Sequence, residues 1–392
     1  MHADWSGEAA APVDLIVLSG FLGSGKTTLL LQYLNDAGTV DTGVIVNEVG
    51  EIGVDGVIVA DGSDAVPMTL LANGCVCCAM RSSLVDTVAA LLDAPRPAGR
   101  GPLRRIILET SGVSRPGPII AALADPELAR RRLRVAVVST YDCVTGALQA
   151  GRFDEASAQL AAAQRIVLTK RDLAENRDVA RHWAALAGIN PLAELIDEED
   201  RRQAARRAFE DTAPAGDGGV AQALAALRAT GRMPLDAGAL PSLAQAVGRR
   251  SPPGFDTAGH ARDGREMPGQ DAGAARIDHP RVHVLTAALA EGAGWEALAL
   301  WLDDLSAFCG ERLLRVKAVL RVSDCDDPIL IQSVGTTFSA PRRLRAAEAA
   351  DNLFVIITRD LDADAINGMA ANGAVSVQAP RGQRKPSLAV GA

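Results

Sequence analysis

Short uninterrupted apolar runs alternate with helical stretches over the first half of the chain. Val13–Leu18, Val44–Val46, Arg105–Leu108, Val135–Val138 and Ile166–Leu168 are such runs, and Thr28–Asn35 reads as the helix that follows the first. Continuous apolar strands between helices predict a parallel sheet covered on both faces. An α/β domain of this kind is expected over residues 13–215, after a disordered N-terminus of residues 1–12.

The pattern then changes. Glu198–Glu210 and Val220–Ala229 read as Ala-rich helices, and Arg249–Asp278 is crowded with Pro, Gly, Asp and Arg. Residues 216–280 are therefore expected to be a helical segment and a flexible linker. Order returns at Arg281. Val282–Leu289, Leu313–Val322, Ile329–Val334 and Leu353–Thr358 read as strands, and Trp295–Phe308 and Asp362–Ala370 as helices. A mixture of strands and two helices in so short a stretch predicts a smaller α+β domain over 281–378. A disordered tail of 379–392 follows.

Composition narrows the functional classes. At 392 residues the chain exceeds one ordinary core, and its 48% apolar content can bury two. A net charge of −8 disfavours a nucleic-acid partner, which needs a basic footprint. No run of about 18 apolar residues predicts a membrane span, and Met1–Pro12 lacks the cationic and apolar stretches of a secretory signal. Three of the six cysteines crowd into Cys75-Val76-Cys77-Cys78. That spacing points to metal chemistry in a reducing compartment, the cytoplasm, more than to disulfides. Nothing in the sequence fixes an oligomeric state.

Gly20-Phe21-Leu22-Gly23-Ser24-Gly25-Lys26-Thr27, followed by Thr28, is a phosphate-binding loop between a buried strand and a helix. Its glycines let backbone N–H groups converge on phosphate oxygens, and the helix N-terminus adds partial positive charge. Lys26 is expected at the β- and γ-phosphates and Thr27 on Mg²⁺. Glu109 ends an apolar run, suits the magnesium shell, and precedes Gly112, whose N–H would face the γ-phosphate. Thr169-Lys170-Arg171-Asp172 follows another apolar run. The Asp172 carboxylate can accept from guanine N1 and N2, which selects GTP, while Lys170 lies along the base.

Cys75, Cys77 and Cys78 offer two or three soft ligands for Zn²⁺, Cu(I), Co²⁺ or Ni²⁺ just ahead of a helix that begins near Ala79. One short cluster leaves coordination positions open, which suits delivery more than permanent structure. Cys143, Cys309 and Cys325 stand alone and read as core residues.

Together these motifs resemble the CobW-type GTPases, relatives of the nickel-insertion GTPases of urease and hydrogenase maturation. Gly20–Thr28 is similar to the family's phosphate loop, Asn47–Gly56 to its Asn-Glu-x-Gly-Glu segment and Gly74–Cys78 to its Cys-x-Cys-Cys signature. Glu109–Gly112 is similar to its second phosphate motif, and Asn190-Pro191 to a short turn after its guanine motif. Leu314–Lys317 and Ile331–Gly335 look like its C-terminal domain. The resemblance implies a P-loop NTPase domain followed by a CobW C-terminal-type domain. It implies a GTP-hydrolysing metallochaperone that binds GTP or GDP, Mg²⁺ and Zn²⁺ (or Co²⁺) and hands the metal to a client protein. It also implies that Glu48 joins Cys77 and Cys78 at the metal. Two departures are Thr169 where Asn is usual, which predicts weaker nucleotide binding, and Ser139 where Asp is usual. A metal buffer or sensor with secondary GTPase activity and a small-molecule kinase are the competing readings.

Overall fold

The computed structural model describes residues 12–35, 41–46, 68–70, 79–96, 101–174, 179–210, 278–344, 353–369 and 372–379, with 68–70 and 79–83 as backbone. The chain runs β1 (Val13–Gly20), α1 (Lys26–Leu34), β2 (Thr42–Val46), β3 (Met68–Leu70) and α2 (Ala79–Asp93). Then come β4 (Arg105–Glu109), α3 (Pro116–Leu123), α4 (Pro126–Ala129), β5 (Leu133–Asp142), α5 (Gly146–Arg152) and α6 (Asp154–Ala162). This half closes with β6 (Arg165–Thr169), α7 (Val179–Ile189), β7 (Glu194–Ile196) and α8 (Arg201–Phe209).

The first seven strands form one sheet in the order β3-β2-β4-β1-β5-β6-β7, and all its pairs are parallel. The continuous apolar runs are explained by burial on both faces. Ile16, Leu18, Val44, Ile107 and Val167 pack with Leu30 and Tyr33 of α1 and Phe209 of α8. Leu15, Val17, Ile45, Ile106 and Val137 share the opposite core with α2, α3, α6 and α7. The strand order reverses beside β1, so the crevice at its carboxyl end is the expected ligand position in such a sheet.

The second half contains β8 (Val282–Leu289), α9 (Trp295–Cys309), β9 (Leu313–Val322), β10 (Cys325–Val334) and β11 (Thr337–Phe338). It ends with β12 (Arg342–Arg343), β13 (Leu353–Arg359), α10 (Ala363–Asn367) and β14 (Val375–Gln378). Its sheet is ordered β11-β10-β9-β13-β8-β14, with β12 also on β10, and is antiparallel throughout. One face packs Val316, Ala318, Phe354 and Ile356 under Leu298, Trp301 and Leu305 of α9. The other face, with Val284, Leu314, Val319 and Val355, belongs to the same core as Leu160–Ala163 of α6 and Leu186 and Ile189 of α7. The two sheets thus share a core instead of folding as isolated units.

Several boundaries differ from the sequence pattern. The helix expected over Glu198–Glu210 starts at Arg201, because the Asp200 side chain accepts from the Arg202 N–H and caps it. The helix expected over Asp362–Ala370 shrinks to Ala363–Asn367, with Asp362 as its cap. The helix expected over Val220–Ala229, the linker and both termini lie outside the described residues. Among the described residues, no helix is long and apolar enough to cross a membrane.

Candidate nucleotide site

β1 ends at Gly20, and the chain turns through Gly23 and Gly25, each with positive φ, before α1 starts at Lys26. Gly20 has φ 141°, and a Cβ there would lie 2.2 Å from Thr140 Oγ1 and 2.7 Å from Ser24 Oγ. No other residue fits that corner. Ser24 is buried, its hydroxyl donating to the Phe21 carbonyl at 2.6 Å and lying within hydrogen-bond distance of Thr140 Oγ1 at 2.7 Å. The Lys26 ammonium lies back over the loop, donating to the Gly20 carbonyl at 3.0 Å and the Phe21 carbonyl at 3.4 Å. Thr28 is exposed on the first turn of α1.

The parallel register sets Leu18 of β1 beside Glu109 of β4. Glu109 is buried, and Thr27 Oγ1 donates to its Oε1 at 2.6 Å. A hydroxyl and a carboxylate oxygen so placed are hard donors suited to Mg²⁺. Past β4, Gly112 lies against the phosphate loop so closely that a Cβ would sit 2.8 Å from the Leu22 nitrogen. Gln159 of α6 holds this segment from behind, its amide donating to the Gly112 and Ser114 carbonyls at 3.0 and 2.9 Å.

At the other side, Thr169 Oγ1 lies 2.8 Å from the Ser24 carbonyl and 3.1 Å from the Tyr141 carbonyl, donating its one proton between them. Thr169 therefore ties the Gly20–Thr27 loop to the carboxyl ends of β5 and β6. Lys170 adopts left-handed backbone geometry with φ 54°, and its ammonium pairs with Asp142 at 2.7 Å. Asp172 is exposed and pairs with Arg201 at 3.1 Å. Replacing Thr169 with valine keeps the shape and removes the donor. It should weaken nucleotide binding about fivefold, close to 1 kcal/mol for one lost hydrogen bond, measured with a fluorescent GDP analogue. Unchanged affinity would leave the threonine with a packing role alone.

Asp142 is the residue that the sequence pattern missed. The run Val135–Val138 ends on Ser139, but β5 continues to Asp142, so the acid at its carboxyl end lies three residues further on. Asp142 accepts from the Val144 N–H at 2.8 Å, the Thr145 hydroxyl at 2.9 Å and Lys170. Burial pushes its carboxyl up, but Lys170 and these donors outweigh that and hold its pKa below the ordinary value.

Cys75, Cys77, Cys78 and Glu48 lie outside the described residues. The described strands show only where those segments depart and return: Val46 at the end of β2 pairs with Glu109 and with Leu70 at the end of β3, and α2 begins at Ala79. Of the isolated cysteines, Cys143 and Cys309 are buried, and burial pushes both thiols up to about 11. Cys325 is half-buried. No metal-holding group of three or more His, Cys, Asp or Glu residues occurs among the described residues. Asn190 is placed away from the nucleotide loops. Its amide donates to the Leu160, Ala161 and Ala163 carbonyls and closes the end of α6.

Comparison with known proteins agrees with this geometry. The sequence profile of the CobW/HypB/UreG nucleotide-binding domain matches residues 14–197, and that of the cobalamin synthesis protein CobW C-terminal domain matches residues 285–370. The zinc chaperone YjiA of Escherichia coli (strain K12) is 38% identical over 183 residues, which cover 46% of this chain and 56% of that protein. The zinc chaperone CobW of Pseudomonas aeruginosa is 33% identical over 222 residues, covering 49% and 57%. The chain thus spans about half the length of the curated relatives it matches. The crystal structure of Zn(II)-bound YjiA GTPase from E. coli superposes with a TM-score of 0.56 at 20% identity, over 92% of this chain and 100% of that one. That likeness is one of fold.

Proposed function

Since this chain belongs to the CobW-type P-loop GTPases, we propose that it is a GTP-hydrolysing metallochaperone. It would carry a transition metal, most simply zinc, through Cys75, Cys77, Cys78 and Glu48 and pass it to a client metalloprotein. The observation that carries the nucleotide half is the Thr27–Glu109 pair beside the glycine-lined loop and Lys26. The loop N–H groups and Lys26 would hold the β- and γ-phosphates, and Asp172 would select guanine. Bound Mg²⁺ would neutralise phosphate charge, with Thr27 as a ligand and Glu109 holding its shell. Water then adds to the γ-phosphorus as its bond to the β,γ-bridging oxygen breaks, giving GDP and phosphate.

The metal half rests on the cysteine spacing and on relatives named as zinc chaperones. The Asn47–Asp55 segment leaves the carboxyl end of β2, next to β4 and its Glu109. GTP would order that segment, bring Glu48 to the thiolates and complete the metal site, and hydrolysis would release it. A reducing cytoplasm would keep the thiols available, and the C-terminal domain would recognise the client.

The test is a Zn²⁺ and Co²⁺ titration against a competing chelator in the apo, GDP-Mg²⁺ and GTP-analogue-Mg²⁺ states, with Cys77→Ser and Cys78→Ser alongside. Metal affinity should rise with the GTP analogue by about 5- to 150-fold, the usual range of coupling between sites, and fall in both variants. Equal affinity in every nucleotide state would sink the coupling.

A further inference from the structure

Helix α6 is nine residues long, and Ala156–Ala162 are all buried. A helix enclosed on every side needs small residues, and its sequence, Asp-Glu-Ala-Ser-Ala-Gln-Leu-Ala-Ala, supplies them. It packs against β1 and β5 on one side and against β9 on the other. Gln159 reaches the nucleotide side and holds the Gly112 and Ser114 carbonyls.

The other end belongs partly to the C-terminal domain. A helix leaves its last four carbonyls without helical partners. Here Asn190 takes Leu160 and Ala161, while Arg315 of β9 donates to Ala162 at 2.5 Å and to Ala163 at 2.7 Å, a carbonyl Asn190 also reaches. Arg315 is buried, and a cation suits the negative end of a helix. At the first turn, Asp154 pairs with Arg281 at 2.7 Å and Arg359 at 3.5 Å, both from the C-terminal domain.

The segment behind the phosphate loop has its own ties. Arg115, which follows Ser114 and precedes α3, pairs with Glu155 of α6 at 2.9 Å and with Glu311 of the C-terminal domain at 3.1 Å. Two residues later, Gly117 of α3 faces Gly335 in the β10–β11 turn, where a Cβ on Gly335 would be in ordinary van der Waals contact with the Gly117 Cα at 3.6 Å. Residues 112–115 are thus tied both to α6 and to the second sheet.

We propose that residues 110–115 and the C-terminal sheet constrain each other through α6, with Gln159 and Arg115 as positioning residues that make the C-terminal domain sensitive to a γ-phosphate at Gly112. This rests on the GTPase reading above and adds the route by which a client-facing domain registers nucleotide state. Linkage makes the route reciprocal: whatever perturbs the C-terminal contact must alter γ-phosphate recognition.

The experiment uses the full chain with fluorescent GDP and a non-hydrolysable fluorescent GTP analogue, each with Mg²⁺. Gln159→Leu should weaken the GTP analogue about tenfold, as the Gly112 and Ser114 carbonyls lose their donor, with GDP affinity unchanged. Arg115→Ala and Glu311→Ala, which remove a partly exposed pair, should each cost about two- to fivefold for the GTP analogue alone. Arg115→Lys should restore most of it. Amide hydrogen exchange in β8 and β9 should differ between the two nucleotide states of the wild type, and the difference should vanish in Gln159→Leu. Glu311 is exposed, so Glu311→Ala remains informative where Gln159→Leu fails to fold. Equal losses for both nucleotides, no loss in any variant, or identical exchange of β8 and β9 in both states would overturn the proposal. Wild-type protein that binds neither nucleotide would instead overturn the GTPase reading.

Discussion

Replacing Glu109 with glutamine should cut GTP hydrolysis by about 10²- to 10³-fold, the scale for losing one preorganised electrostatic contact, while fold and GDP binding persist. The argument starts from the parallel register, which places Glu109 at the carboxyl end of β4 beside β1 and within 2.6 Å of the Thr27 hydroxyl. Glutamine has the same shape and can still accept from Thr27. Only the negative charge is lost, which is the property a magnesium shell would draw on. With the shape and the Thr27 contact kept, the melting temperature should change little. The Mg²⁺ concentration for half-maximal hydrolysis should move upward. Thr27→Ala should show the same shift, and the double variant should lose little more than either single one, because both act on one ion. Wild-type turnover in Glu109→Gln would remove Glu109 from the magnesium shell and leave the Thr27 contact as scaffolding.

The same site shows what the chain spells out and what it conceals. Gly20–Thr27 could be located because the loop's chemistry is local: glycines, a lysine and a hydroxyl residue follow each other in order. Strands β1, β2, β4, β5 and β6 were legible because both their faces are buried, which leaves unbroken apolar runs, whereas β7, only three residues long, left none to read. β5 defeats that rule at its end. Ser139-Thr140-Tyr141-Asp142 reads as a polar break, yet these residues are still strand, with Thr140 on Ser24, the Tyr141 carbonyl on Thr169 and Asp142 on Lys170. Their polarity serves the loops above the sheet, not solvent. Helix α6 was hidden for the opposite reason, since a helix of small residues buried all round has no amphipathic stripe to read. Gln159 gave no signal either, because its partners are backbone carbonyls far away in sequence. Asn190 was read as part of a turn after the guanine motif, not as the group that closes the end of α6.

Replacing Lys317 with methionine should stabilise the protein at pH 7 by about 1–3 kcal/mol, the range seen when buried ionic groups give way to apolar ones. In β9 the segment Leu314-Arg315-Val316-Lys317 alternates as a half-exposed strand would, yet Arg315 and Lys317 are each only 2% exposed. Arg315 spends its charge on the end of α6. Lys317 has no ion pair among the described residues, and burial, followed by the Arg315 charge, pushes its ammonium down to about 8 from 10.5. A base with a lowered folded pKa carries its penalty in full below pH 8 and sheds it as pH rises towards 10.5. Over that window the wild type should gain on the order of 3 kcal/mol relative to Lys317→Met. Comparing the two proteins at each pH is essential, because Cys143 and Cys309, with thiols pushed up to about 11, favour the folded state less as pH climbs past 9. Denaturant unfolding at pH 7 and pH 10 measures the difference directly. A methionine variant less stable than wild type at pH 7 would mean that the ammonium is well satisfied where it sits, and that the cation belongs to the interface between the sheets as firmly as Arg315 does.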